Sequence, residues 1–88
     1  MGLCRTVSIV NRKGLHARPA ASFVKLASTF DCRIRIHTDD KDVDGKSIMG
    51  MMMLAASQGS QITINTDGTD EALALEQLVN LVAEGFNE

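Results

Sequence analysis

Tryptophan and tyrosine are absent from the chain and phenylalanine appears three times. A nucleic-acid face made of stacked aromatic rings therefore has little to be made from. Phe23, Phe30 and Phe86 also all fall at apolar helical spacings. Cysteine is scarce: Cys4 and Cys32 are too few and too far apart for a metal cage or a disulfide framework. They read as small apolar residues of a reducing compartment, and no metal or cofactor is expected. The longest largely apolar run, Ile48 to Ala56, falls well short of the roughly 20 residues that cross a bilayer. The stretch MGLCRTVSIVNRKG lacks the basic, apolar and small-residue order of a secretory signal. MGLC also lacks the downstream Ser or Thr of a myristoylation signal. A cytoplasmic protein without membrane contact is the expectation. Pro-rich linkers, low-complexity tracts and solenoid repeats are missing too, so residues 1–88 are expected to form a single domain.

What is present is the balance of an ordinary globular domain, 44% apolar and 23% charged, with a modest core. A chain this short buries roughly 60–65% of its unfolded surface. The charge is unevenly placed. Residues 1–37 hold seven Lys and Arg against one acid, and residues 38–88 hold two Lys against ten acids, giving +6 and −8. Such asymmetry points to a basic face for an anionic ligand or an acidic partner.

The pattern along the chain reads β-α-β-β-α-β-α. RTVSIVN alternates, with Val7 and Ile9 on one face, as a half-buried strand does. Ala20, Phe23, Val24, Ala27 and Phe30 follow helical spacing and predict a helix over 17–29. CRIRIH puts Cys32, Ile34 and Ile36 inward, and a short polar strand surrounds Val43. Ser47 is a natural N-cap for a helix over SIMGMMMLAA. QITINT turns Ile62 and Ile64 inward. A last helix over 70–86, capped by Thr69 or Asp70, carries the stripe Leu75, Leu78, Val79, Val82, Phe86. Strands with one polar and one apolar face suit an antiparallel sheet covered on one side. The expected fold is an α+β open-faced sandwich, four antiparallel strands with three helices on one face.

One local rule is broken. A helix start prefers carboxylates, because its N–H groups and macrodipole make it positive. The last helix obeys, with Asp70 and Glu71. The first begins with His16, Arg18 and Pro19, and Arg12 and Lys13 lie just upstream. Pro19 is harmless in a first turn. The basic residues make sense if an anion visits, cradled by the backbone of Ala17 and Arg18 and neutralised by the Arg18 guanidinium. An imidazole at His16 suits a transient covalent bond. On the residues alone, a solvated loop is the favoured reading of this histidine, and no partner base, paired carboxylate or Ser-His-Asp set accompanies it.

GLHARPA, a following helix, and GKSIMGMMMLAA about 30 residues on together closely resemble the HPr family, the histidine-containing phosphocarriers of the bacterial phosphoenolpyruvate-dependent phosphotransferase system. The likeness spans essentially the whole chain. It implies that His16 accepts a phosphoryl group on Nδ1 from enzyme I, with phosphoenolpyruvate as the source, and passes it to a IIA-type acceptor. It implies that Arg18 stabilises the phosphohistidine, and that the protein is a monomeric carrier, not a stand-alone catalyst. Positioning and charge stabilisation are most of what phosphoryl transfer asks of a protein.

The second helix is apolar nearly all round. Met51, Leu54 and Ala55 make a core stripe, which leaves Ile48, Met49 and Met52 on the other side. Methionine adapts to several partners, and the resemblance makes this face the dock for enzyme I and IIA domains. Ser47 aligns with the serine that a dedicated HPr kinase/phosphorylase modifies in many relatives. A phosphate there would add about −2 charge to that face. Two alternatives stay open: a nitrogen-related paralogue with mainly regulatory targets, and a non-phosphorylated regulatory binding module.

Overall fold

Alternation in the sequence becomes a two-sided sheet. In β2 (Arg33–His37) the period of two sends Ile34 and Ile36 to one face, where both are buried, and Arg33, Arg35 and His37 to the other. β4 (Gln61–Asp67) does the same with Ile62, Ile64 and Thr66. In the computed structural model, which describes residues 2–87, β1 (Gly2–Ser8), β3 (Asp42–Asp44) and these two strands form one antiparallel sheet ordered β1-β4-β2-β3. The helices α1 (Ala17–Ala27), α2 (Ile48–Met53) and α3 (Glu71–Ala83) supply the other half of the core. Phe23, Ala27, Met51, Leu78 and Val82 meet the sheet isoleucines there. Each of these side chains larger than alanine contributes about 1.5–3 kcal/mol by leaving water. The open-faced α+β sandwich expected from the pattern is the fold observed.

Several boundaries differ from the expectation. β1 ends at Ser8, yet Ile9 is still buried and exchanges backbone hydrogen bonds with Ser60 (2.9 Å) and Gly59 (2.8 Å). α1 stops at Ala27, and Thr29 and Phe30 bond back over three residues in a tightened final turn. Ala55, expected in the core stripe of the second helix, is exposed with φ +50°. That helix is only six residues long and its chain has already turned away. α3 ends at Ala83, because Gly85, Phe86 and Asn87 all take left-handed dihedrals. Phe86 still reaches the core.

The side chain of Asp70 does not cap α3, although the residue stands at the N-cap position. Its two carboxylate oxygens accept the N–H groups of Asp31 (2.8 Å) and Cys32 (2.9 Å). The start of α3 is thereby tied to the start of β2. Buried Thr66 donates its hydroxyl to the Glu71 carbonyl at 2.9 Å, tying β4 to the same helix. Two lysines serve carbonyls near helix ends: Lys41 Nζ donates to the Met53 carbonyl at the end of α2 (2.9 Å), and Lys46 Nζ to the Phe30 carbonyl after α1 (2.6 Å). Cations suit such carbonyl clusters. Gly50 also finds its reason. A Cβ there would stand 3.3 Å from both the Asp44 carbonyl oxygen and Val43 Cβ, so β3 and α2 approach closely.

Candidate functional site

The turn ahead of α1 is closed by short-range bonds. Gly14 N–H donates to the Asn11 carbonyl at 3.1 Å, and Asn11 Nδ2 donates back to the Gly14 carbonyl at 2.7 Å. Gly14 sits at φ +69°, and a Cβ there would lie 2.5 Å from the Ala56 carbonyl oxygen. Only glycine meets both demands. The next residue, buried Leu15, donates its N–H to that Ala56 carbonyl at 2.8 Å. His16 N–H then bonds to the Gly14 carbonyl at 3.2 Å.

His16 is the N-cap residue of α1, in extended conformation at φ −107° and ψ −163°. Its carbonyl accepts the Ala20 N–H at 3.0 Å, while its imidazole takes no part in capping. The imidazole is thus left to other work than the Ser, Thr or Asp oxygen usual at this place. The first turn contains no acid, and Pro19 within it is buried. Ala17 and Arg18 supply the N–H groups at the helix start that the α-helical ladder does not use.

Asn11, Arg12, Lys13, His16, Ala17, Arg18 and Gly85 line one open depression of about 510 Å³. Three cations and an imidazole line it, and among the described residues no carboxylate does. The structure therefore brings His16, Ala17 and Arg18 together, and adds the Arg12 and Lys13 that the sequence had merely placed nearby. Gly85, from the far end of α3, and Asn11 carried no signal of their own. Depressions of this width admit a phosphate-sized anion with its partner surface, and the local positive field favours it.

Ser47 stands apart from the depression. Its Oγ accepts the Gly50 N–H at 3.0 Å, the N-cap role expected. Of α2, Met51 is buried, while Ile48 (44% exposed), Met49 (74%), Met52 (44%) and Met53 (64%) form an apolar surface. Met53 belongs to that surface although the two-stripe reading had passed over it. Such contiguous exposure marks interaction sites more often than accident. α2 packs on α1, and the chain leaving it reaches Ala56, the residue that holds Leu15. Among the described residues no group of His, Cys, Asp or Glu is arranged to hold a metal ion, and no helix is long and apolar enough to cross a membrane.

Comparison with known proteins gives one answer. The profile of the family described as PTS HPr component phosphorylation site matches residues 3–84. The chain is 45% identical over 86 residues to a phosphocarrier protein HPr of Cupriavidus necator, covering 98% of this chain and 97% of that one. It superposes on the HPr-C-His structure from Thermoanaerobacter tengcongensis with a TM-score of 0.93 at 45% identity, covering 98% and 97% of the two chains. An HPr dimer from the same organism matches with a TM-score of 0.78 at 46% identity, over 93% and 94%.

Proposed function

The chain belongs to the HPr family of phosphotransferase-system phosphocarriers, not stand-alone catalysts, and we propose that His16 is the residue on which it carries the phosphoryl group. Phosphorylated enzyme I donates the group and a IIA-type domain accepts it. Arg18 neutralises the phosphoryl oxygens, and the Ala17 and Arg18 N–H groups bind them at the helix start. The observation that carries this reading is the depression itself, which His16 lines together with Arg12, Lys13 and Arg18. Being open, it suits a group that must be handed on. A closed pocket would shield the phosphoryl group from the next protein.

Ile48, Met49 and Met52 form the docking face for both partners. Phosphorylation of Ser47 by an HPr kinase/phosphorylase places negative charge beside that face and weakens docking. The whole of residues 1–88 works as one HPr-like domain, as a cytoplasmic monomer of the sugar branch. Support for that branch is the shared name of the full-length relatives.

The test is incubation with enzyme I and phosphoenolpyruvate followed by intact mass. One acid-labile phosphate on the wild type and none on His16→Ala is the expected result. Absence of the modification from the wild type, or equal labelling of the variant, overturns the assignment.

A further inference from the structure

The Gly14–Leu15 peptide, one peptide unit before the one that leads into His16, is bonded through both of its polar atoms. Its oxygen accepts Asn11 Nδ2 (2.7 Å) and His16 N–H (3.2 Å), and its N–H donates to the Ala56 carbonyl (2.8 Å). Rotation of this peptide would carry the His16 backbone with it. Among the described residues, every member of this clamp is backbone except one, the Asn11 amide. We infer that Asn11 is a positioning residue for phosphoryl transfer, acting through that peptide to hold His16 in line with the incoming phosphorus; the inference rests on reading His16 as the phosphoryl carrier.

Two further observations separate this from a turn residue that merely closes a loop. The turn is already closed by the Gly14 N–H to Asn11 carbonyl bond, so the side-chain bond is additional to it. The Asn11 Oδ1 is buried and has no hydrogen-bond partner among the described residues. A buried acceptor left unpaired costs desolvation free energy, and a smaller or apolar residue would avoid that cost. The amide cannot be turned over to relieve it, since Oδ1 would then face the Gly14 carbonyl oxygen. Asn11 also lines the depression with His16, Arg18 and Gly85, and a Cβ built on Gly85 would lie 3.6 Å from the Asn11 Cβ. The amide thus sits between the wall of the depression and the reactive loop, to which its nitrogen is bonded. In-line transfer is sensitive to such placement, and a misplacement of about 1 Å from a remote change can slow a reaction 100-fold.

The experiment compares wild type, Asn11→Ala and Asn11→Leu as acceptors from enzyme I in steady-state phosphorylation, with the melting temperature of each. The leucine variant keeps the volume and removes the donor. The expected result is a fall of about tenfold or more in kcat for both variants, with KM unchanged and both folded at the assay temperature. Unchanged kcat in either variant overturns the inference, as does a loss confined to Asn11→Ala, which would assign the effect to packing. A change in KM alone, or losses that follow melting temperature, overturns it as well. Failure of the wild type to accept phosphate strikes the carrier reading instead, so the two failures are distinguishable.

Discussion

Leu15 and Ala56 are joined by a 2.8 Å hydrogen bond from the Leu15 N–H to the Ala56 carbonyl, and this bond ties the loop of His16 to the chain leaving α2. The apolar surface of α2 and the basic depression are therefore parts of one frame, 41 residues apart in sequence but sharing a backbone contact.

Gly14 lies inside that frame, so Gly14→Ala forces a Cβ to within 2.5 Å of the Ala56 oxygen at a φ of +69°. Left-handed strain alone costs about 1–2 kcal/mol, and the clash adds to it. For a domain of this size 1 kcal/mol lowers Tm by about 4–8 °C. A thermal melt followed by circular dichroism should show a fall on the order of 10 °C, together with slower phosphoryl acceptance.

Ala55 gives the opposite sign. It is exposed at φ +50° with its Cβ penalty uncompensated by burial. Ala55→Gly relieves that penalty and gives back part of it as chain entropy in the unfolded state. A net stabilisation of about 0.5–1 kcal/mol is expected, read as a rise of several degrees in the same melt.

Asp70 predicts an acid limb. The Asp31 N–H bonded to its carboxylate holds its pKa below the ordinary carboxylate value; desolvation opposes this, and the contacts with Cys32 add to the lowering. The folded state thus prefers the ionised group. This contribution is fully present above the unfolded pKa and disappears as pH falls through the lower folded one. Urea midpoints measured from pH 6 down to pH 2.5 should decline less steeply in Asp70→Asn than in the wild type, and the variant should be weaker at pH 6.

The two thiols should separate cleanly. Cys4 is exposed and Cys32 buried. Desolvation by burial, with the neighbouring Asp70 carboxylate, pushes the Cys32 pKa up to about 11. The thiolate is the reactive form. Iodoacetamide at pH 8 should add one group to the native protein and two in denaturant, counted by intact mass.

Met49, at 74% exposure, should be replaceable without harm to the fold. Met49→Glu is expected to keep the wild-type Tm within a few degrees and to raise the KM for enzyme I several-fold. Wild-type kinetics in that variant would reduce the methionine surface to a bystander.

Much of this architecture was legible in the residues, and the parts that were not share a cause. Period-two runs named the inward isoleucines of β2 and β4, and helical spacing named Phe23 and Ala27, because periodicity reports which face leaves water. It carries no record of which backbone groups meet at long range. Asp70 looked like a cap for its own helix and is instead an acceptor for residues 39 and 38 positions away. Lys41 and Lys46 gave no sign in sequence of the carbonyls they bond after α2 and α1. Phe86 kept the apolar rhythm of α3 although Gly85 had already ended the helix, so rhythm outlasted the backbone that justified it. At the site, charge bookkeeping located the cluster from Arg12 to Arg18. The roles of Asn11 and Gly85 depended on a turn and a distant helix end that only the folded chain brings together.

The placement of Gly85 on the wall of the depression has a practical side. β1 leads from Gly2 towards the turn at Asn11, so Gly2 lies a strand's length, about 20 Å, from Ser8 at the other end of the strand. Asn87 follows Gly85 by two residues. An affinity handle or surface tether joined at that end would start a few residues from a wall of the basic depression and is expected to crowd whatever protein approaches it. Tethered from the Gly2 end, the same molecule would present that depression to solution, which makes the amino end the one to immobilise in any binding measurement.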